Sequence, residues 1–193
     1  MTNPESNNQT SHQRTCPVWV GYTMLTPLRK LQHNPMKILS PYVSAGMRVM
    51  DYGPAMGFFS IPLAKLVGPS GRVYCIDIQE KMLEKLNQRA LRFGVQDTVS
   101  TRLVGKDYNP AQLMNSLDFV LLFFVVHEVP DKAALFRDMF TMLKPGGKIL
   151  FAEPKGHVKE ADFNQSLSLA KQAGFKVSPE KPVKRGWSAL LTC

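Results

Sequence analysis

Three small residues stand at alternate positions, Gly53, Ala55 and Gly57, just after the strand-like Arg48-Val49-Met50 and two positions beyond the acid Asp51. Where a strand hands over to a helix, the N–H groups of the first helical turn have no backbone partner. They can donate to a ligand carboxylate or phosphate. Small residues let that ligand approach closely, and Gly53 and Gly57 also admit positive φ. Pro54 supplies no donor, which leaves the N–H groups of Ala55, Met56 and Gly57 for the ligand. Asp77, 20 residues beyond Gly57, lies near the end of the next apolar run and can accept from ribose hydroxyls. Turn, helix and acid together suit a nucleoside-type cofactor. The plainer reading is a tight turn and a solvated carboxylate.

A second group could move protons. His127 and Glu128 follow the apolar run 118–126, while Glu153 and His157 follow the run that begins near Lys148. If both runs are neighbouring strands, these four residues meet at adjacent strand ends. His127 could then take a proton from a substrate or orient it, with Glu153 or His157 nearby. The alternative is a structural histidine bonded to backbone. A metal site from Glu128, Glu153 and His157 follows no ligand pattern, and none is expected.

The elements that must position these residues can be read in order. Residues 48–50, a helical pattern over 58–64 and an apolar strand over 73–78 form a βαβ unit. Asn34-Pro35 reads as an N-cap and first helical position of a short helix through about Tyr42. The stretch 79–93 puts Met82, Leu83, Leu86 and Ala90 on one stripe of a helix that Gly94 stops. A third strand covers 99–104. The fourth, 118–126, is almost continuously apolar, which suits a parallel strand covered on both faces. Asp131 caps a helix carrying Leu135, Phe136, Met139 and Phe140. A last helix stops at Gly174, and two strands, 175–178 and 187–192, finish the chain.

The run Asp51-Tyr52-Gly53-Pro54-Ala55-Met56-Gly57 resembles the Asp-x-Gly-x-Gly-x-Gly motif of class I S-adenosylmethionine-dependent methyltransferases, with Ala55 in place of the middle glycine. An alanine at negative φ would fit there. The dinucleotide fingerprint differs, because its third glycine falls three positions after the second. Leu143-Lys144-Pro145-Gly146-Gly147 is similar to a turn of the ubiquinone-biosynthesis and other small-molecule methyltransferases, and the terminal antiparallel hairpin matches the same family. The resemblance covers about residues 35–193. It implies a Rossmann-like, doubly wound α/β fold with a seven-stranded sheet, mostly parallel with a terminal antiparallel hairpin. It also implies S-adenosyl-L-methionine as cofactor, bound by Asp51, Gly53, Ala55, Gly57, Phe58 and Asp77. Ile78 would pack on the adenine. Asp107 would bond the adenine amino group or merely cap its loop. An aromatic face near the sulfonium would stabilise it by about 0.5–2 kcal/mol, with Tyr22, Phe58 and Phe124 as candidates.

With 193 residues, 44% hydrophobic and 20% charged, the chain can bury a full core in one domain. No apolar run reaches the roughly 18 residues of a membrane helix and residues 1–15 lack a signal-peptide core, so the default expectation is a cytoplasmic protein. Cys16, Cys75 and Cys193 show no metal-like spacing. The formal net charge of +9, concentrated between Lys144 and Arg185, would attract anions, nucleic acid included. No aromatics are interleaved there, so a solvated face is the plainer reading. The expected division is a disordered tail at 1–15, an N-terminal lid or substrate wall at 16–45, and the cofactor-binding domain at 46–193. Trp19 and Tyr22 would face the pocket as a lid or pack on the sheet as core. The expected function is methyl transfer to a small-molecule acceptor, with His127, Glu128 and Glu153 as catalytic candidates. The alternatives are an RNA methyltransferase and a non-catalytic cofactor-binding regulator.

Overall fold

Strands that are apolar at nearly every position must be covered on both faces. In the computed structural model, which describes residues 32–180 and 183–193, strands of this kind form the centre of one seven-stranded sheet, and the more polar Val99–Leu103 and Lys176–Pro179 form its edges. The strands are β1 (Arg48–Tyr52), β2 (Arg72–Asp77), β3 (Val99–Leu103), β4 (Leu117–Phe123), β5 (Leu143–Pro154), β6 (Lys176–Pro179) and β7 (Gly186–Thr192). The order is β3-β2-β1-β4-β5-β7-β6. The first five pair in parallel, and β7 runs antiparallel to both β5 and β6. The doubly wound sheet with a terminal antiparallel hairpin is therefore as the sequence implies.

The pleat divides the core. Phe119, Leu121 and Phe123 of β4 pack with Leu39 of α1 (Pro35–Leu39), Ile61 and Leu63 of α2 (Ser60–Val67) and Leu86 of α3 (Glu80–Arg92). Val120 and Leu122 point the other way, into Phe136 and Met139 of α4 (Lys132–Met142) and Phe163 of α5 (Glu160–Gln172). Phe119 is fully buried and its ring stacks on Tyr42 at 5.8 Å. Truncating it to alanine would cost about 3–5 kcal/mol.

Helix starts follow the local chemistry. The Asn34 side chain accepts from Lys37 N–H at 3.2 Å, with Pro35 at the first helical position. Asp131 accepts from Ala134 N–H at 2.8 Å at the head of α4. Gly94, at φ +66°, follows α3 as expected.

Several element boundaries differ from the sequence reading; strand β5, for one, begins at Leu143, within the expected Leu-Lys-Pro-Gly-Gly turn. The short α1 ends at Leu39, before Tyr42. Helix α2 begins at Ser60 and not at Phe58, because residues 54–59 are used as turns that shape the preceding loop. Strand β4 ends at Phe123 instead of Val126. Phe124 adopts φ +63°, which breaks the pleat, and Val126–Glu128 form a single 3-10 turn. The proposed tail at 1–15, Trp19, Tyr22 and most of the lid lie outside the described residues.

All five parallel strands end on one edge of the sheet. The order reverses between β1 and β4, and a crevice opens at such a switch point.

Candidate cofactor site

At that edge the loop after β1 turns through three left-handed residues in alternation: Gly53 at φ +71°, Ala55 at +47° and Gly57 at +79°. Ala55 thus departs from the expected negative φ. An alanine at this φ carries strain, which the alternation of left-handed residues in the tight loop imposes. Gly53 donates to Ile76 O at 2.8 Å. A Cβ on it would lie 2.4 Å from Val125 Cγ2, so the loop sits directly against the segment after β4. Asp51, 3% exposed, accepts from Ser60 Oγ at 2.6 Å, which joins the end of β1 to the start of α2.

The expectation of three ligand-facing donors also changes. Ala55 N–H donates to Asp77 Oδ2 at 3.2 Å, and Gly57 N–H to Pro54 O at 2.9 Å. Short loops satisfy their own amides where they can. Met56 N–H donates to no atom among the described residues.

Asp77 is almost fully buried. Its Oδ1 accepts from Gln79 N–H at 2.9 Å. Burial pushes its carboxyl above the usual range, opposed by the backbone donors of Gln79, Ala55 and Ile78. Its carboxylate stands in the wall of a pocket that also includes Asp51, Gly53, Ala55, Ile78 and Val104. Ile78 is 45% exposed, as a residue offering an apolar plate to a ligand should be. Phe58, Phe59, Phe123 and Phe124 line the same pocket. Their rings form a chain, with centroids 5.0 Å apart for Phe58 and Phe59, 4.4 Å for Phe59 and Phe123, and 4.3 Å for Phe123 and Phe124.

Two expected cofactor residues are not on the wall. Gly57 lies behind it, where a Cβ would meet Leu86 Cγ at 3.0 Å. Asp107 is exposed and its carboxylate accepts from Leu103 N–H, closing its own loop. Met56, read from the sequence as a ligand-facing donor, lines the pocket; the sequence reading missed Val125, which lines it too, and Ser60 and Arg89, which tie the loop from outside. A hydroxyl at the helix start nine residues after Asp51 was a signal available for Ser60. For Arg89 the helical stripe gives none.

Among the proton-moving candidates, His127 and Glu153 come together. Glu153, 2% exposed, accepts from His127 N–H at 3.0 Å and contacts His127 Nδ1 at 2.6 Å, so both of its oxygens engage one residue. That bond raises the His127 pKa, against the opposing effect of burial. Glu128 is the one of the three that lines the pocket; its Oε1 lies 3.9 Å from His127 Nε2. Burial raises its pKa as well. The His157 ring lies 6.2 Å from that of His127, centre to centre. No group of three or more metal-ligating side chains with metal-binding geometry occurs among the described residues.

The pocket fits the cofactor that the motif implies. It pairs a buried acid for sugar hydroxyls with apolar side chains at Ile78 and Val104, and four phenylalanines line it as well, a surface against which a sulfonium would be stabilised. Comparison with known proteins agrees. A family profile described as a methyltransferase domain matches residues 43–184. The ubiquinone/menaquinone biosynthesis C-methyltransferase UbiE of Pasteurella multocida is 34% identical over 111 residues, which are 58% of this chain and 41% of that protein. The demethylmenaquinone methyltransferase of a Geobacillus species is 30% identical over 112 residues, 58% of this chain and 47% of that one. The alignments thus span less than half the length of these relatives. Among solved structures, a SAM-dependent methyltransferase from Aquifex aeolicus superposes with a TM-score of 0.80 at 23% identity, covering 92% of this chain and 98% of that one, a likeness of fold. On the profile match, which spans most of its length, the chain belongs to the methyltransferase-domain family.

Proposed function

We propose that this chain transfers a methyl group from S-adenosylmethionine to a small-molecule acceptor. The observation that carries the reading is the shared pocket: the left-handed loop residues Gly53 and Ala55, Asp77 and Ile78 line one cavity together with Phe58, Phe124 and Glu128. When bound, S-adenosylmethionine supplies an electrophilic methyl group on a positively charged sulfur. The chain's own contribution is placement. Asp77 accepts from the ribose hydroxyls, Ile78 covers the base, and the Phe58 and Phe124 rings stabilise positive charge and exclude water from the line of transfer. An acceptor that carries a proton needs a base. Glu128 is placed to receive that proton, and His127, oriented by Glu153, stands behind it. Asp107 acts as a loop cap in this reading, and Gly57 supports the loop from behind.

Calorimetric titration with S-adenosylhomocysteine and with NAD tests the cofactor, with binding of the first alone expected. Turnover of S-adenosylmethionine across an acceptor panel tests the transfer. His127→Ala turning over at the wild-type rate would remove that residue from the chemistry. A second reading is a cofactor-binding protein that methylates nothing. A fold of this kind does not by itself fix a reaction, which leaves that reading to be tested. Retained cofactor without product on any acceptor would support it.

A further inference from the structure

The cofactor loop is gripped from both sides. In front, Asp77 takes the Ala55 N–H. Behind, the guanidinium of Arg89, in the last turn of α3, donates through Nη1 to Met56 O. The peptide joining Met56 to Gly57 is therefore fixed at both ends, because its N–H donates to Pro54 O. Positive φ at Ala55 and Gly57 leaves that peptide outside any helical or strand ladder, so these two bonds are what orient it. Met56 is 1% exposed and lines the pocket, and its own N–H is the loop donor with no acceptor among the described residues.

Arg89 is itself held in place. One turn earlier, Leu86 packs where a Cβ on Gly57 would be. One turn later, the Phe93 ring lies 5.9 Å from the guanidinium carbon. Arg89 forms no ion pair among the described residues, although it is only partly exposed and burial lowers its pKa. A cation withdrawn from water without a carboxylate partner is costly. Here its hydrogen bond goes to the carbonyl of a pocket residue.

We propose that Arg89 is a positioning residue for the cofactor: by fixing the Met56–Gly57 peptide from behind, it sets the loop's shape before the ligand arrives. This rests on the S-adenosylmethionine reading above. The test is calorimetric titration of S-adenosylhomocysteine into the full chain and into Arg89→Met, Arg89→Lys and the exposed-neighbour control Arg92→Met, at a temperature where each is fully folded. Arg89→Met should bind about tenfold more weakly, the scale of one charge-assisted hydrogen bond. Arg89→Lys should recover part of the loss and Arg92→Met should match wild type. Hydrogen exchange at the Gly57 amide should accelerate in Arg89→Met without ligand. If Arg89→Met melts earlier but binds as wild type does, the role is merely structural and the inference falls. If wild type itself does not bind, the cofactor reading fails and takes this inference with it.

Discussion

Replacing Gly53 with alanine tests the loop geometry most directly. The new Cβ would sit 2.4 Å from Val125 Cγ2 and 3.0 Å from Val125 Cβ, on a residue at φ +71°. The left-handed conformation costs an L residue about 1–2 kcal/mol. Forced overpacking adds roughly 1–3 kcal/mol. The stiffer unfolded chain returns about 0.4–1 kcal/mol. The net loss is about 1–5 kcal/mol, and for a chain of this length Tm should fall by roughly 2–18 °C. Val125→Ala removes Cγ2, so in the double variant most of the steric cost disappears while the φ cost remains. A double-mutant cycle by urea denaturation should show the pair less destabilised than the sum of the singles by about 1–3 kcal/mol. Strictly additive singles would mean that Gly53 and Val125 do not touch, and the account of how β4 backs the loop would be wrong.

Three further outcomes follow from the same contacts. Ala55→Gly should raise stability by about 0.5–1 kcal/mol in denaturant melts, because relief of left-handed strain exceeds the added chain entropy; a loss would refute strain at that residue. Asp77→Ala should weaken S-adenosylhomocysteine by roughly 10- to 100-fold in calorimetry. In wild type, donors on the ligand favour the carboxylate, so affinity should fall as pH drops through the raised Asp77 pKa, and a flat profile would contradict the assignment. His127 has a folded pKa above its unfolded value near 6.5, so its contribution to stability is complete below that pH and is lost as pH rises through the folded value. Glu153→Gln should flatten that loss in Tm measured from pH 6 to 9; an unchanged slope would show that the bond is not its source.

Much of this arrangement was legible in the sequence because it depends on periodicity and chain order. The apolar run before His127 required a strand covered on both faces, and the spacing from Gly53 to Asp77 required two adjacent strand ends. Both are properties of a few neighbouring residues. What escaped was set mostly by contacts distant in the chain. Ala55 is left-handed although no local propensity favours that, and its N–H goes to Asp77, far along the chain. Asp107, exposed, accepts from Leu103 N–H and closes its own loop, a bond between residues four apart that its position after a strand does not reveal. His127 and Glu153 were named together, yet only the pairing of β4 with β5 reveals that the carboxylate is spent on the histidine and that Glu128 faces the cavity. Arg89 lay on a stripe already explained by helix amphipathicity, and its reach to Met56 O depends on where α3 crosses the loop.

Glu153 has a mechanical consequence. A carboxylate with both oxygens engaged by a single neighbour, in surroundings that admit almost no water, behaves as a rivet between the ends of two strands. Drawing the histidine away to make room for a bulky guest would strand that charge at a cost of about 3–5 kcal/mol. The turn after β4 is thus a fixed jaw, and any widening to admit a larger molecule must come from the opposite rim.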